Sequence, residues 1–453
     1  MDFKTRRTYY NRCEFLVPLR PDDERNLDID TECGTQVRGA NWAERLANTI
    51  ELSEKPVFIL FTGLPGSGKS TELRRLSARL ADPARGNFLP VLVDAEANLD
   101  LTNRLDVPDI IAVILHAAER AVLEAEGKNP EASMEEGYFR RLWQWLARTD
   151  VEIGKAEFAL PGSGPKLVAE MRSRPSLRAK VRATIANHLS TFLEDARQEL
   201  EVLNDRAAAT GREGGLVVIV DSLEKARGTS ENWKDVLSSV EQIFAGGAPY
   251  LRLPVHVLYT IPTALVSRRF ESVSFLPMIK LASRDGTPFA PGLLAARELI
   301  RRRILDDVLA QLLGPDYEAR VHTLIGWSGG YPRELVRLLQ IALTYQTQPL
   351  SDPDFQRIFN ELKDAYRKIV PADTFGWLAR VAQEQYFTVL NDDHRQTADL
   401  MLSNNAVLRY VNGNDWFDLH PAVAQIPGVQ AARAALLAPP APVPVPPEAP
   451  AGA

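Results

Sequence analysis

Cysteine is almost absent from these 453 residues: Cys13 and Cys33 are the only two, and they form neither a C-x-x-C pair nor part of a second one. That argues against a disulfide framework and against a zinc site, and it suits a reducing, cytoplasmic setting. Long apolar runs are missing as well. None reaches the roughly 18 residues that a membrane-crossing helix needs, and the opening MDFKTRRTYYNRCEF lacks the apolar centre of a secretory leader. Neither membrane insertion nor secretion is expected. Excess positive charge is also lacking. A formal net charge of -6 gives no global attraction to nucleic acid or to an anionic membrane, although a local patch could still supply one. What remains, 45% hydrophobic and 25% charged residues over this length, is the composition of an ordinary globular protein with room for two or three domains.

Residues 1–36 are polar and rich in turn signals, as in PLRPDDERNLDID, and read as an N-terminal arm; a helical pattern in NWAERLANTIELS follows. Apolar, β-branched runs then recur as PVFILF from Pro56, FLPVLVDAE from Phe88, GLVVIVDSL from Gly215, PVHVLYTI from Pro254 and a weaker LPMIKLA from Leu276. Helical periodicity separates them, so residues 37–289 are expected to form an α/β unit with a mainly parallel sheet, since parallel strands need such crossovers. One crossover, about 107–211, is too long for a single helix and reads as a helical insertion. Within it LPGSGPK, Leu160 to Lys166, imitates a phosphate loop, but no strong strand leads into it and it reads as a plain loop. Residues 290–350 are helical and suggest a lid. Residues 351–431 give helices followed by AVLRYVNGNDWFDLHP, a hairpin whose Asn412-Gly413 pair suits a two-residue turn, and together these suggest a winged-helix-like domain. The tail 432–453, rich in proline and alanine, is expected to be extended or disordered.

The chemistry concentrates in a few places. Gly63, Leu64, Pro65, Gly66, Ser67, Gly68, Lys69 and Ser70 match G-x-x-x-x-G-K-[ST], with an apolar strand before and a helix opened by Ser70 and Thr71 after. Glycines let backbone N–H groups curl around a β-phosphate, Lys69 neutralises β/γ charge, and Ser70 offers its hydroxyl to Mg²⁺. An acid at the end of another buried strand should complete the ion's site, and LVVIVDSLEK supplies Asp221 after five apolar residues. Ser222, not glutamate, follows it, so Glu224 is the nearest candidate to orient an attacking water; the alternative is a first-turn helix residue favoured by the dipole. Thr260 closes PVHVLYTIP and would approach the γ-phosphate or the water if its strand lay between those of the P-loop and Asp221. Arg268 and Arg269 follow, as a solvated basic turn or as arginines offered to a neighbouring subunit's nucleotide. In GWSGGYPRELVRLL, the Gly329-Gly330 pair turns the chain, Pro332 suits a first helical turn, and Arg333 projects from a helix start where a phosphate, if present, would favour it; otherwise it is a surface arginine.

GLPGSGKST, LVVIVDSLEK, VLYTIP and SGGYPRELVRLL, in that order and followed by a winged-helix-like segment, resemble the AAA+/STAND group of P-loop ATPases, which includes origin-initiator-like and NLR-like proteins. The resemblance spans about Val37 to Pro421. It is closest to bacterial ATPases with GSGKSTEL and an acidic, leucine-rich stretch after the next strand, here VLVDAEANLDLTNRLDVPDI. It implies a P-loop NTPase sheet of the ASCE type and ATP and Mg²⁺ as ligands. Asp221 and Glu224 would serve as the acidic pair, and Arg333 as the arginine of the lid. The implied activity is that of a slowly hydrolysing switch that controls a protein partner or its own assembly, in bacterial defence or signalling. No leucine-rich, tetratricopeptide or WD repeats follow, so the usual sensor of such proteins is missing. An initiator-like DNA-binding ATPase is the alternative, disfavoured because the hairpin carries one arginine against two aspartates; a P-loop kinase would leave the helices after the sheet unexplained.

Overall fold

In the computed structural model, residues 1–130, 175–226, 228, 231–245, 248–267, 273–386 and 392–438 are described. LPGSGPK, Arg268, Arg269 and, of the tail 432–453, the part from Pro439 lie outside them; the start of that tail is not extended, since helix Pro427–Leu437 runs into it. Five apolar runs form strands: β1 (Phe58–Gly63), β2 (Leu89–Asp94), β3 (Leu216–Asp221), β4 (His256–Thr260) and β5 (Val273–Leu276). They pair in parallel in the order β2-β3-β4-β1-β5, so Thr260's strand does separate the P-loop strand from Asp221's strand.

The three inner strands β1, β3 and β4 alternate their side chains between two helical layers, as the period of two requires. Ile59, Phe61, Val217, Ile219 and Leu258 pack with Trp42, Leu46 and Ile50 of helix Trp42–Glu51 and with Leu73 and Leu76 of the P-loop helix Lys69–Leu80. Leu60, Val218, Val220, Val257 and Tyr259 pack on the opposite side, against helices Val107–Ala125 and Leu189–Ala209. Those helices and Pro175–Ala186 are the described part of the expected insertion.

The weak strand expected from Leu276 onward ends at that residue. Beyond it the backbone is claimed elsewhere: Met278 N donates to Arg409 O, Ile279 N to Gly330 O and Lys280 N to Val37 O. The close passage at Gly330 requires glycine, since a Cβ there would lie 1.8 Å from Ile279 O and its φ is +73°.

After the sheet come helices Ala290–Arg301, Asp306–Leu313, Tyr317–Ser328 and Pro332–Thr344, then Asp352–Ile369, Phe375–Glu384 and Asp392–Ser403, and the antiparallel hairpin β6 (Val407–Asn412) and β7 (Asn414–Leu419). The helical stretch expected from residue 290 is thus interrupted at residues 302–305. The hairpin turn also differs from expectation: Asn412 pairs with Asn414, so the reversal centres on Gly413 (φ +79°), not on an Asn412-Gly413 pair.

The N-terminal arm is packed, not loose. Cys13, Leu27 and Ile29 join one core with Leu64 of the P-loop, Ile300, Leu339, Leu408 and Trp416. Arg38, 1% exposed, fixes this junction. It grips Asp30 with two bonds of 2.9 and 2.8 Å and reaches Glu72 of the P-loop helix at 2.7 Å. A buried guanidinium shared by two carboxylates specifies one geometry, because misplacing any member strands a charge.

Candidate functional site

The P-loop starts where β1 runs out. Gly66 (φ +78°) and Gly68 (φ +103°) hold conformations that side chains resist, and they turn the chain into the helix at Lys69. A Cβ at Gly66 would meet the Tyr331 ring at 2.6 Å and Arg333 Cβ at 2.8 Å, so the start of helix Pro332–Thr344 rests directly on the loop. Lys69 is 4% exposed; its Nζ donates to Gly63 O at 2.9 Å and Leu64 O at 3.3 Å and lies 3.3 Å from Glu224 Oε1.

β3 delivers Asp221 at its carboxyl end, and its carboxylate accepts from Ser222 N at 2.7 Å and bonds the Ser70 hydroxyl. Ser222 then takes a left-handed conformation (φ 69°), and the short 3-10 turn Leu223–Lys225 folds Glu224 back toward Lys69. This reversal lets an acid three residues beyond the strand reach the P-loop lysine. Thr260, fully buried at the end of β4, accepts from Leu223 N at 3.1 Å and hydrogen-bonds Glu224, so its hydroxyl holds the Glu224 turn in place.

The two carboxylates differ electrostatically. Burial and the charge of Glu224 push Asp221 up to about 6, against the Ser70 hydroxyl, Ser222 N and Lys69. Burial works to raise Glu224 too, but Lys69 and the Thr260 hydroxyl outweigh it and keep that carboxyl below its ordinary value. Near neutral pH both are ionised around one lysine.

Lys69, Ser70 and Glu224 open onto a cleft of about 380 Å³, whereas Asp221 and Thr260 are not among the residues that line it. Lys69, Ser70, Thr71 and Glu224 wall it from the sheet, Phe15 to Leu19 from the arm, and Leu299, Arg303, Arg333 and Val336 from the helices beyond residue 290. The arm and Arg303 were not legible as site residues, since their place here depends on contacts across some 280 residues, such as Arg303 Nη1 to Arg25 O at 3.3 Å. Asn405 was no more legible, because its contact is equally remote in sequence: its Nδ2 donates to Pro65 O at 3.1 Å, tying the segment before the hairpin to the P-loop backbone.

The residues present fit a nucleotide polyphosphate with its ion. Ser67 Oγ and Glu224 Oε2 are enclosed without partners, Gly68 has nothing within 4 Å of where a Cβ would stand, and Lys69 lies beside the loop. Ser70 and Asp221 would hold Mg²⁺, an ion that neutralises β/γ-phosphate charge.

No protein-family model matches the chain, and no curated protein matches it. Among solved structures, a Walker-type ATPase of Pyrococcus abyssi aligns over 93% of this chain and 99% of its own, at 12% identity and a TM-score of 0.39. That likeness is too loose to transfer a fold or an activity. On its own coordinates the chain is an α/β protein with a five-stranded parallel sheet and a P-loop set between strand and helix. Among the described residues no helix is long and apolar enough to cross a membrane.

The Asp221 pKa gives a pH prediction. If Asp221 is a ligand of Mg²⁺, a proton competes with the ion for its carboxylate, so acidification through pH 6 should weaken the ion's contribution. Between pH 7.5 and 5 the Mg²⁺-dependent gain in nucleotide affinity should fall by about tenfold, and in Asp221→Asn it should show no such component. Calorimetry with and without Mg²⁺ at each pH checks this; equal pH profiles for both proteins would make Asp221 a structural acid.

Proposed function

We propose that the protein is an ATP-binding, slowly hydrolysing P-loop ATPase that acts as a nucleotide-dependent conformational switch on a protein partner or on its own assembly. The observation that carries this reading is that two separate parts of the chain meet on one loop, the start of helix Pro332–Thr344 and the segment that leads into the hairpin. Arg333 and Tyr331 pack on Gly66, Asn405 bonds Pro65 O, and Leu64 is buried in the core that also holds Leu408 and Trp416. A ligand that reshapes the P-loop must therefore act on the helices after residue 290, here read as a lid, and on the winged-helix-like segment 351–431.

ATP moves such an equilibrium only by its differential affinity for two arrangements. Arg333 supplies that difference, because it lines the cleft, has no ion-pair partner among the described residues, and would meet the γ-phosphate only when the lid is closed. Arg333→Ala should preserve ADP affinity, weaken ATP affinity by about tenfold and abolish any ATP-specific change of shape. Small-angle scattering of wild type and variant, each with ADP and with a non-hydrolysable ATP analogue, tests this. Identical nucleotide-dependent changes in the two proteins would remove Arg333 from the mechanism.

The initiator-like alternative needs cations on the hairpin. Its one arginine, Arg409, is folded over the Phe275 ring and paired with Asp415, which leaves little charge for phosphate contact. Salt-sensitive duplex binding at physiological ionic strength would nonetheless favour that alternative over the switch.

A further inference from the structure

Arg303 bonds two backbone carbonyls but has no counter-charge among the described residues. It sits in the break after helix Ala290–Arg301, is 8% exposed, and lines the cleft. Nη1 donates to Leu299 O at 2.9 Å and to Arg25 O at 3.3 Å, whereas Nε is enclosed with no acceptor. Among the described residues no acid forms an ion pair with it. Burial lowers this guanidinium to about 10, and the charges acting most on it are those of Cys13, Arg25, Asp23 and Arg12, two of them cations. A buried cation without a counter-charge is costly, and holding two carbonyls would not need a charge at all.

We propose that Arg303 reads the nucleoside end of the bound nucleotide, donating a hydrogen bond to an acceptor atom of the base. The proposal rests on the reading of the cleft as a nucleotide site and adds a specificity-determining residue to it. Two observations separate this end from the phosphate end. Arg303 bonds Arg25 O of the arm and Leu299 O of the helix before it, whereas Lys69 bonds Gly63 O and Leu64 O of the loop. The cleft walls contributed by the arm and the later helices are mainly apolar, with Phe15, Leu16, Val17, Leu299 and Val336, and Leu16 and Val17 stay 66% and 63% exposed. A flat aromatic ring would cover those side chains and bring ring nitrogens or a carbonyl oxygen, which a donor-only guanidinium can satisfy. The polyphosphate has Lys69, Ser70 and the loop backbone.

The test compares Mg²⁺-ATP with Mg²⁺-tripolyphosphate, which has no base, by calorimetry on wild type and Arg303→Met. Methionine keeps an apolar body of similar length and loses the donors. ATP affinity should drop by about tenfold or more while tripolyphosphate affinity stays the same. An equal drop for both ligands, or none for ATP, would overturn the proposal. Failure of wild type to bind either ligand would instead sink the nucleotide reading, and the proposal with it. Cys13, fully buried where the arm docks, reports whether the arm stays in place. In the variant it should remain unreactive toward N-ethylmaleimide by mass spectrometry, with half-buried Cys33 as the internal reference. A labelled Cys13 together with weakened ATP binding would assign Arg303 to holding the arm and end its role as a base contact.

Discussion

Lys69→Ala should lower the affinity for Mg²⁺-ATP by at least about a hundredfold. Charge-assisted hydrogen bonds from one ammonium to phosphate oxygens contribute about 1.5–3 kcal/mol each, and two of them already exceed the roughly 2.7 kcal/mol that a hundredfold represents. A complication follows from the geometry, because Lys69 is also the charge that keeps the buried Glu224 carboxylate ionised. Removing it strands Glu224, which should take up a proton rather than remain a buried unpaired anion. The variant should therefore fold, with a lower melting temperature that recovers as the pH is reduced and Glu224 is neutralised. Adding Glu224→Gln to Lys69→Ala should restore the melting temperature without restoring affinity, and this separates loss of binding from loss of structure. Calorimetry and thermal unfolding decide it: unchanged nucleotide affinity in a folded Lys69→Ala protein would falsify the P-loop assignment.

Much of the fold could be read from the sequence because its signals are local. Five consecutive apolar residues before Asp221, or glycines with a lysine between a strand and a helix, describe short pieces of chain whose geometry neighbouring residues enforce. The place of β4 between β1 and β3 was only a condition on Thr260's role, and the sheet order meets it. Contacts that close over hundreds of residues were not legible. Nothing near Asn405 indicates that its amide will meet Pro65, and nothing in the polar stretch before residue 37 indicates that Asp30 will share Arg38 with Glu72. LPMIKLA has the apolar look of a strand, yet beyond Leu276 its backbone bonds go to the hairpin and to Gly330, a competition that no local pattern records. The hairpin itself was legible, but its register was not: Asn-Gly favours a two-residue turn, whereas pairing of Tyr410 with Trp416, which stack at 4.6 Å, sets the reversal on Gly413.

Glu224→Gln should slow hydrolysis by about a hundredfold or more while leaving ATP binding intact or somewhat tighter. Position and protonation both point to this carboxylate. Its Oε1 is 3.3 Å from Lys69 Nζ, Thr260 fixes its turn, and its Oε2 is enclosed with no partner, so one oxygen is held and the other is left to take a proton from an attacking water. The lowered pKa keeps it ionised at neutral pH, and Asp221 is taken up by the Ser70 hydroxyl, the pair that would hold Mg²⁺, which leaves Glu224 to accept the proton. Glutamine preserves the shape and the hydrogen bond to Thr260 but cannot accept the proton. It also no longer draws Lys69 toward itself, which frees the ammonium for the phosphates and makes unchanged or stronger binding the expected result. Single-turnover hydrolysis at saturating protein isolates the chemical step from product release. A Gln variant with the wild-type single-turnover rate would place the base elsewhere, and a variant that lost binding as well as turnover would make Glu224 a structural partner of Lys69. Slow wild-type turnover would match a base that arrives through a left-handed residue and a short turn instead of standing directly after the strand.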